Sequence, residues 1–151
     1  KKSTAPAQDS FRKKPNILYG GAGLVSTAMD YARFCEMLVN GGQANGKRLL
    51  SRKTIELMAA DHLGDLPVMP GGGTLAPGLG FGLTFAVNRG PGKSATLGSQ
   101  GEFFWSGAAG TGFWIDPKEK MAGVFMVNIL PHEGLTFRHQ FKQLAYQAIS
   151  D

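Results

Sequence analysis

Residues 101–117 constrain the fold more than any other part of this chain. They read as a strand that runs into a series of small residues and out into a second strand. Phe103, Phe104 and Trp105 precede Ser-Gly-Ala-Ala-Gly-Thr-Gly, and Phe113, Trp114 and Ile115 resume the apolar pattern. Strands joined by so short a link pair antiparallel. Small residues let a backbone approach a ligand closely, and they leave backbone N–H groups to point at an oxyanion. Asp116-Pro117-Lys118-Glu119-Lys120 then reads as a hairpin turn. Met121 to Ile129 is almost wholly apolar, the pattern of a central strand buried on both faces, and Pro131 ends it.

The N-terminal half reads as helical. Thr27 with Asp30 three residues on makes a capping box, and Tyr31, Phe34, Cys35, Leu38 and Val39 fall on one helical stripe. Asn40-Gly41-Gly42 stops that helix, and residues 43–48 form a polar turn. Ser51 caps a second helix with Leu50 and Ile55 as a hydrophobic staple, and Ile55, Met58 and Ala59 are its buried face. Residues 64–79, rich in Pro and Gly, read as a long loop of the kind that rims a binding cleft. Phe81, Leu83, Phe85 and Val87 alternate as one half-buried strand. A last helix starts at Thr136 with Phe137, Phe141, Leu144, Ala145 and Ala148 on one face. Two helices, three antiparallel strands and one helix make an α+β fold with helices packed on an antiparallel sheet.

Charge excludes one function class. The net charge is +5, yet residues 1–15 hold five cations against Asp9, so the remainder carries only +1. The basicity belongs to an arm over residues 1–16, read as flexible, and not to a folded basic face that would hold nucleic acid. No apolar run approaches the roughly 18 residues of a membrane span, and no signal peptide is visible. Cys35 is the only cysteine, which rules out an internal disulfide and leaves the compartment undetermined. The chain opens on Lys1 and not on Met, so this N-terminus reads as cut, processed or cloned.

The run at 101–117 resembles the third motif of the serine β-lactamase-like hydrolases, the superfamily of class C β-lactamases, penicillin-binding D-alanyl-D-alanine peptidases and family VIII carboxylesterases. The run at 20–34, Gly-Gly-Ala-Gly-Leu-Val-Ser-Thr-Ala-Met-Asp-Tyr-Ala-Arg-Phe, is similar to family VIII sequences, and the resemblance extends from Leu18 to Ile149. It implies that residues 17–151 are the C-terminal segment of such a hydrolase. The family's Ser-x-x-Lys nucleophile and Tyr-x-Asn/Ser motifs would lie in an N-terminal half, which becomes the implied partner together with a small ester or amide substrate. The segment alone would be inactive. In the family the last three strands pair with two from that half, so an isolated segment is expected to form a swapped or edge-paired dimer. Neither nucleic acid nor membrane is implied, and the reaction needs no metal or cofactor.

By the same resemblance Trp105-Ser106-Gly107 stands where many members carry Lys-Thr-Gly, and the residue after it, Ala108, offers its backbone N–H to the oxyanion hole. Trp105, Ser106, Gly107 and Phe104 are the implied substrate-binding residues. Trp in place of Lys supplies an apolar wall and one donor instead of a cation, which points to esters or amides without a carboxylate anchor. The plain alternative is a buried strand with Trp105 as core filler. Phe103, Phe104, Phe113, Trp114 and Phe125 read first as sheet packing, with Phe104 or Trp114 as walls of an acyl pocket. A second reading of the whole chain is a non-catalytic binding or assembly module that keeps the fold.

Other candidates read as structural. Ser10-Phe11-Arg12-Lys13 matches Ser-x-x-Lys literally but sits in a charged tail where the lysine cannot be desolvated. Tyr19 lacks the motif residue two positions on. Gly71–Gly73 and Gly98-Ser99-Gln100-Gly101 do not continue as phosphate-binding loops. His62, His132 and His139 lack metal-ligand spacing, and Cys35 reads as a small core hydrophobe.

Overall fold

The structure, a computed structural model, describes residues 14, 24–66, 74–130 and 134–150. The expectations on the basic arm, Ser10, Tyr19, Gly71–Gly73 and His132 lie outside the described residues.

Helix α1 (Ala28–Val39) begins where the capping pattern places it. The Thr27 side chain accepts from the Asp30 amide at 3.1 Å, and its hydroxyl donates to the Asp30 carboxylate at 2.8 Å. The stripe behind the cap is rotated slightly from expectation: Cys35, Met37 and Leu38 are buried, whereas Phe34 is exposed. Residues 43–48 are more than a polar turn. They form a short hairpin, β1 (Gln43–Ala44) with β2 (Lys47–Arg48). Ser51 caps α2 (Arg52–Met58) by accepting from the Thr54 amide at 2.9 Å, and Leu50 and Ile55 both join the core.

A five-stranded antiparallel sheet follows, in the order β3 (Leu79–Phe81), β4 (Ala86–Asn88), β5 (Phe103–Ser106), β6 (Gly112–Asp116), β7 (Met121–Phe125). It has five strands where three were expected, and residues 79–88 supply two of them by folding as a hairpin and not as one strand over 81–87. The turn is enforced at Gly82: a Cβ there would lie 2.1 Å from the Met58 carbonyl oxygen, so only glycine fits against the end of α2. Leu83 is consequently exposed at the turn.

β7 is not the central strand its apolar run predicts. It is the sheet's last strand and only half-buried, since among the described residues no further strand pairs with it. The apolar core lies on the α1–α2 side, where Cys35, Leu38, Ile55, Phe85, Phe103 and Ile115 pack together. Helix α3 (Phe137–Gln147) packs on β7 and has no fully buried residue. Phe137, Phe141 and Leu144, expected on its inner face, are exposed, Leu144 by 65%. Phe141 still meets Trp114 and Phe125 with ring centroids 5.5 and 5.7 Å apart, and the expected Ala145 is joined on the protein side by Arg138, Lys142 and Tyr146. Among the described residues no helix is long and apolar enough to cross a membrane.

Candidate functional site

The β4–β5 ladder consists of Ala86↔Phe104 and Val87↔Phe103, while the β5–β6 ladder continues to Trp105↔Phe113 and Ser106↔Gly112. Strand β5 therefore runs two residues beyond its β4 neighbour, and Trp105 and Ser106 form a rim laddered to β6. Past them the chain reverses over three residues. The Gly107 amide donates to the Thr111 carbonyl at 3.0 Å, and the Gly110 amide to the Gly107 carbonyl at 3.0 Å. Gly110 takes φ +86°, the left-handed conformation that closes a three-residue hairpin loop. The Ile129 amide donates to the Ala109 carbonyl at 3.0 Å, which ties the segment after β7 to this turn. Ala108 sits exposed at the turn's crest.

Of the residues predicted for the site, Phe104, Trp105, Ser106, Gly107 and Ala108 are thus brought together along one strand end. Trp105 is 39% exposed and meets Phe81 edge-on with ring centroids 5.4 Å apart, so it is a rim wall and not core filler. A small cavity of about 70 Å³ lies between this strand end and α3, with Phe104, Trp105, Ser106 and Trp114 on the sheet side and Arg138 and Lys142 on the helix side. Arg138 lies across Gly112 and donates to the Thr111 carbonyl at 3.2 Å, so α3 clamps the same hairpin. Phe103 and Phe113 are sheet packing, as expected: Phe103 meets Phe85 at 4.9 Å, and Phe113 meets Tyr31 at 5.2 Å.

One constellation was not read from the sequence. Glu102 and Asp116 are both fully buried, and the Tyr146 hydroxyl oxygen lies 2.7 Å from a carboxylate oxygen of each. Lys142 pairs with the other oxygen of Glu102 and lies over the Phe104 ring, 5.5 Å from its centroid. Asp116 also accepts from the Ser99, Lys118 and Glu119 amides at 3.0, 3.1 and 3.2 Å. Burial pushes the Glu102 carboxyl above the usual carboxylate range, against the pull of Lys142 and Tyr146. Burial also acts on Asp116, but the Tyr146 hydroxyl and the Ser99 and Glu119 amides outweigh it and hold that carboxyl low. The Tyr146 phenol is pushed up by burial and by the two carboxylates. The signal available in the sequence was the i, i+4, i+8 spacing of Arg138, Lys142 and Tyr146, which puts three polar groups on one stripe of α3.

The remaining candidates are structural. The Gly98–Gly101 turn is internal, with Ser99 tied to Asp116, and a Cβ on Gly98 would meet the Glu102 carboxylate at 2.0 Å. An anion there would face two buried acids. His62 lies 2.8 Å through Nε2 from the Leu57 carbonyl oxygen at the end of α2. Burial, with Arg138 and Lys142 adding, pushes the His139 imidazole below its usual range. Burial drives the Cys35 thiol up to about 11, as befits an inert core residue. Among the described residues no group of three or more His, Cys, Asp or Glu side chains could hold a metal ion. Both ends of the long loop are pinned at one point: Asp61, just before it, accepts from the Leu63 and Phe81 amides at 3.0 and 3.2 Å and from Arg89 Nε at 2.9 Å.

A family model described as Beta-lactamase matches residues 1–147. Two curated Mycobacterium tuberculosis proteins, "Uncharacterized protein MT1414" of strain CDC 1551 / Oshkosh and "Protein Rv1367c" of strain ATCC 25618 / H37Rv, are each 37% identical over 122 residues. Those residues are 78% of this chain but 30% of each relative, so the chain spans about a third of the curated relatives it matches. Among solved structures, "EstCE1, a hydrolase with promiscuous acyltransferase activity" superposes with a TM-score of 0.67 at 29% identity, covering 84% of this chain and 31% of that one.

Proposed function

The chain belongs to the Beta-lactamase family of β-lactamase-like hydrolases, and from that premise we propose that it is the C-terminal segment of a serine hydrolase working through an acyl-enzyme. The single observation that carries this reading is the rim of β5: Trp105 and Ser106 extend past β4 and end in a tight hairpin that presents Ala108 at the sheet's edge. That is where the family places its third motif. A serine from the preceding half attacks the ester or amide carbonyl. A lysine and a tyrosine of that half take the serine's proton and deliver it to the leaving group. The Ala108 N–H and the nucleophile's own N–H hold the developing oxyanion, and water then releases the acid. An oxyanion donor fixed on such a scaffold supplies about 3–4 kcal/mol of transition-state stabilisation.

Trp105 is the specificity element in this reading, since it replaces a cation with an apolar wall and directs the site to neutral short-chain esters or amides. The neighbour's printed acyltransferase activity fits the same acyl-enzyme handed to an alcohol in place of water. The partner half also accounts for two surfaces. One is the outer edge of β7, with which no further strand pairs among the described residues. The other is made of the exposed apolar side chains Met126, Leu130, Phe137 and Leu144.

The test is complementation. The chain alone is expected to leave p-nitrophenyl acetate and butyrate unhydrolysed, and adding about 200 residues of its upstream sequence to restore turnover; that length follows from the family resemblance. Turnover by the chain alone through any of its own serines overturns the segment reading. A longer protein lacking Ser-x-x-Lys, inactive even when complete, favours the binding-module alternative.

A further inference from the structure

The buried constellation beneath β5 poses a problem of proton count. Tyr146 has one hydroxyl proton, yet its oxygen stands 2.7 Å from Glu102 Oε2 and 2.7 Å from Asp116 Oδ2. A phenol can donate to one of two carboxylates. If both are ionised, the second contact sets two lone-pair-bearing oxygens against each other at hydrogen-bond distance, in a site that is fully buried. The charge count is equally poor: two buried carboxylates against Lys142 leave one negative charge without a partner, the costliest arrangement for a protein interior.

One additional proton removes both difficulties. Asp116 already has four donors, the Ser99, Lys118 and Glu119 amides and Tyr146, which is the environment of an ionised carboxylate. Glu102 has Lys142 on Oε1 and Tyr146 facing Oε2. With the proton on Glu102 Oε2 the bonds run in one direction: Lys142 donates to Glu102, Glu102 to Tyr146, and Tyr146 to Asp116. The only formal charges left are Lys142 and Asp116, one of each sign.

We propose that Glu102, Tyr146, Asp116 and Lys142 form a buried proton-binding site, occupied at neutral pH, that latches α3 onto the strand carrying Trp105. Two of the four members, Lys142 and Tyr146, belong to α3, a helix without a fully buried side chain, so the latch is a main tie between α3 and the sheet. Among the described residues, the charged and titratable groups around Glu102 come from β6, the turn after it and α3. Asp116 faces it from β6, Glu119 reaches the cluster through Ser99, and α3 brings Lys142 and Tyr146 with Arg138 and His139 alongside. From β4 comes only the neutral Asn88. The direction of the Glu102 shift agrees with the proton's placement there. A carboxyl whose pKa is raised by folding contributes stability while protonated and loses it as pH rises through that value. Deprotonation therefore loosens α3 on the alkaline side.

The decisive measurement is the side-chain carboxyl ¹³C shift of Glu102 in the full chain between about pH 4 and pH 9, assigned by the resonance missing from Glu102→Gln. The expected result is a carboxylic-acid shift that persists through neutrality and moves to the carboxylate position only at higher pH. A carboxylate shift at pH 7 overturns the proposal. Glu102→Gln gives a second, independent reading, because glutamine is the isostere of the protonated acid and can accept from Lys142 and donate to Tyr146. Its urea midpoint at pH 7 should match the wild type, and the wild type alone should lose stability toward alkaline pH. A variant markedly weaker than the wild type at pH 7 would mean that an ionised Glu102 had been pairing with Lys142, and would end the idea.

Discussion

A methyl group added at Gly123 tests how α3 is seated. A Cβ built on Gly123 of β7 falls 2.1, 2.2 and 2.4 Å from Cη2, Cζ2 and Cζ3 of Trp114. Ordinary carbon contacts sit at about 3.5–4.0 Å, so Gly123→Ala forces the indole or the strand to move by more than about 1 Å. The indole has little room, for Trp114 is buried and meets Phe141 at 5.5 Å and Tyr146 at 6.5 Å. Overpacking of this kind costs about 1–3 kcal/mol. Replacing glycine in a strand returns about 0.5–1 kcal/mol of backbone entropy. The net expectation is a loss of about 1–2 kcal/mol. Trp114→Phe removes the atoms that collide and costs about 2 kcal/mol by itself through the space it leaves. In the double variant the alanine methyl occupies that space, so the two losses should fall short of their sum by about 1 kcal/mol or more. Urea unfolding followed by circular dichroism measures all four corners of the cycle. Additivity within about 0.5 kcal/mol, or a Gly123→Ala protein as stable as the wild type, refutes the packing argument.

Phe103→Ala empties the centre of the apolar core, where Phe103 is 1% exposed, and should cost about 3–5 kcal/mol in urea unfolding with an unchanged slope. Asp116, held below its ordinary value, contributes stability above about pH 4 that is lost as pH falls through its lowered pKa; the wild type should weaken there on acid titration, and Asp116→Asn should lack that phase. The outer edge of β7, unpaired among the described residues, should make the chain dimerise or aggregate on concentration, read by light scattering, and its upstream half should suppress this; a monodisperse monomer at high concentration counts against it. In the complemented hydrolase, Ala108→Pro removes the proposed oxyanion donor and should lower kcat by about 10²–10³-fold; an unchanged kcat assigns the oxyanion to other groups.

The features legible in the sequence are those decided within a few residues. Thr27 and Ser51 each settle a cap through a side-chain oxygen and an amide three positions away, and both act as read; the turn read at 116–120 forms too, with Asp116 accepting from the Lys118 amide. The hairpin after Trp105 was legible for the same reason, its small residues and Gly110 being a local requirement. What was not legible depends on partners far along the chain. The alternation of Phe81, Leu83, Phe85 and Val87 fits one strand or a hairpin equally well, and the choice lies in how closely Gly82 approaches the end of α2, more than 20 residues earlier. Glu102 reads as an ordinary strand carboxylate until Lys142 and Tyr146 arrive from 40 and 44 residues away. The apolar run of β7 declares that the strand wants cover on both sides, but not which segment supplies it. The short β1–β2 hairpin could have been read from Asn45-Gly46, the dipeptide that two-residue turns favour.

The position of β5 follows from two different interactions acting on consecutive residues. Side chains alternate across a strand, so Phe103 enters the apolar core under α1 and α2 while Glu102 enters the polar latch under α3. Each clamp holds the strand from its own face just before the rim of Trp105 and Ser106, and a site on a doubly held strand keeps its geometry better than one on a free loop. The two clamps should fail differently. Loss of the apolar one removes the interactions that fold the domain, so strand and helices open together. Loss of the polar one removes a tie to a helix that buries no residue completely, so α3 should open first while β5 and β6 stay paired. Amide hydrogen exchange separates the cases: Tyr146→Phe should lower protection across 137–147 and spare Phe103–Ser106, whereas equal loss in both segments would mean that α3 and the sheet open as one unit.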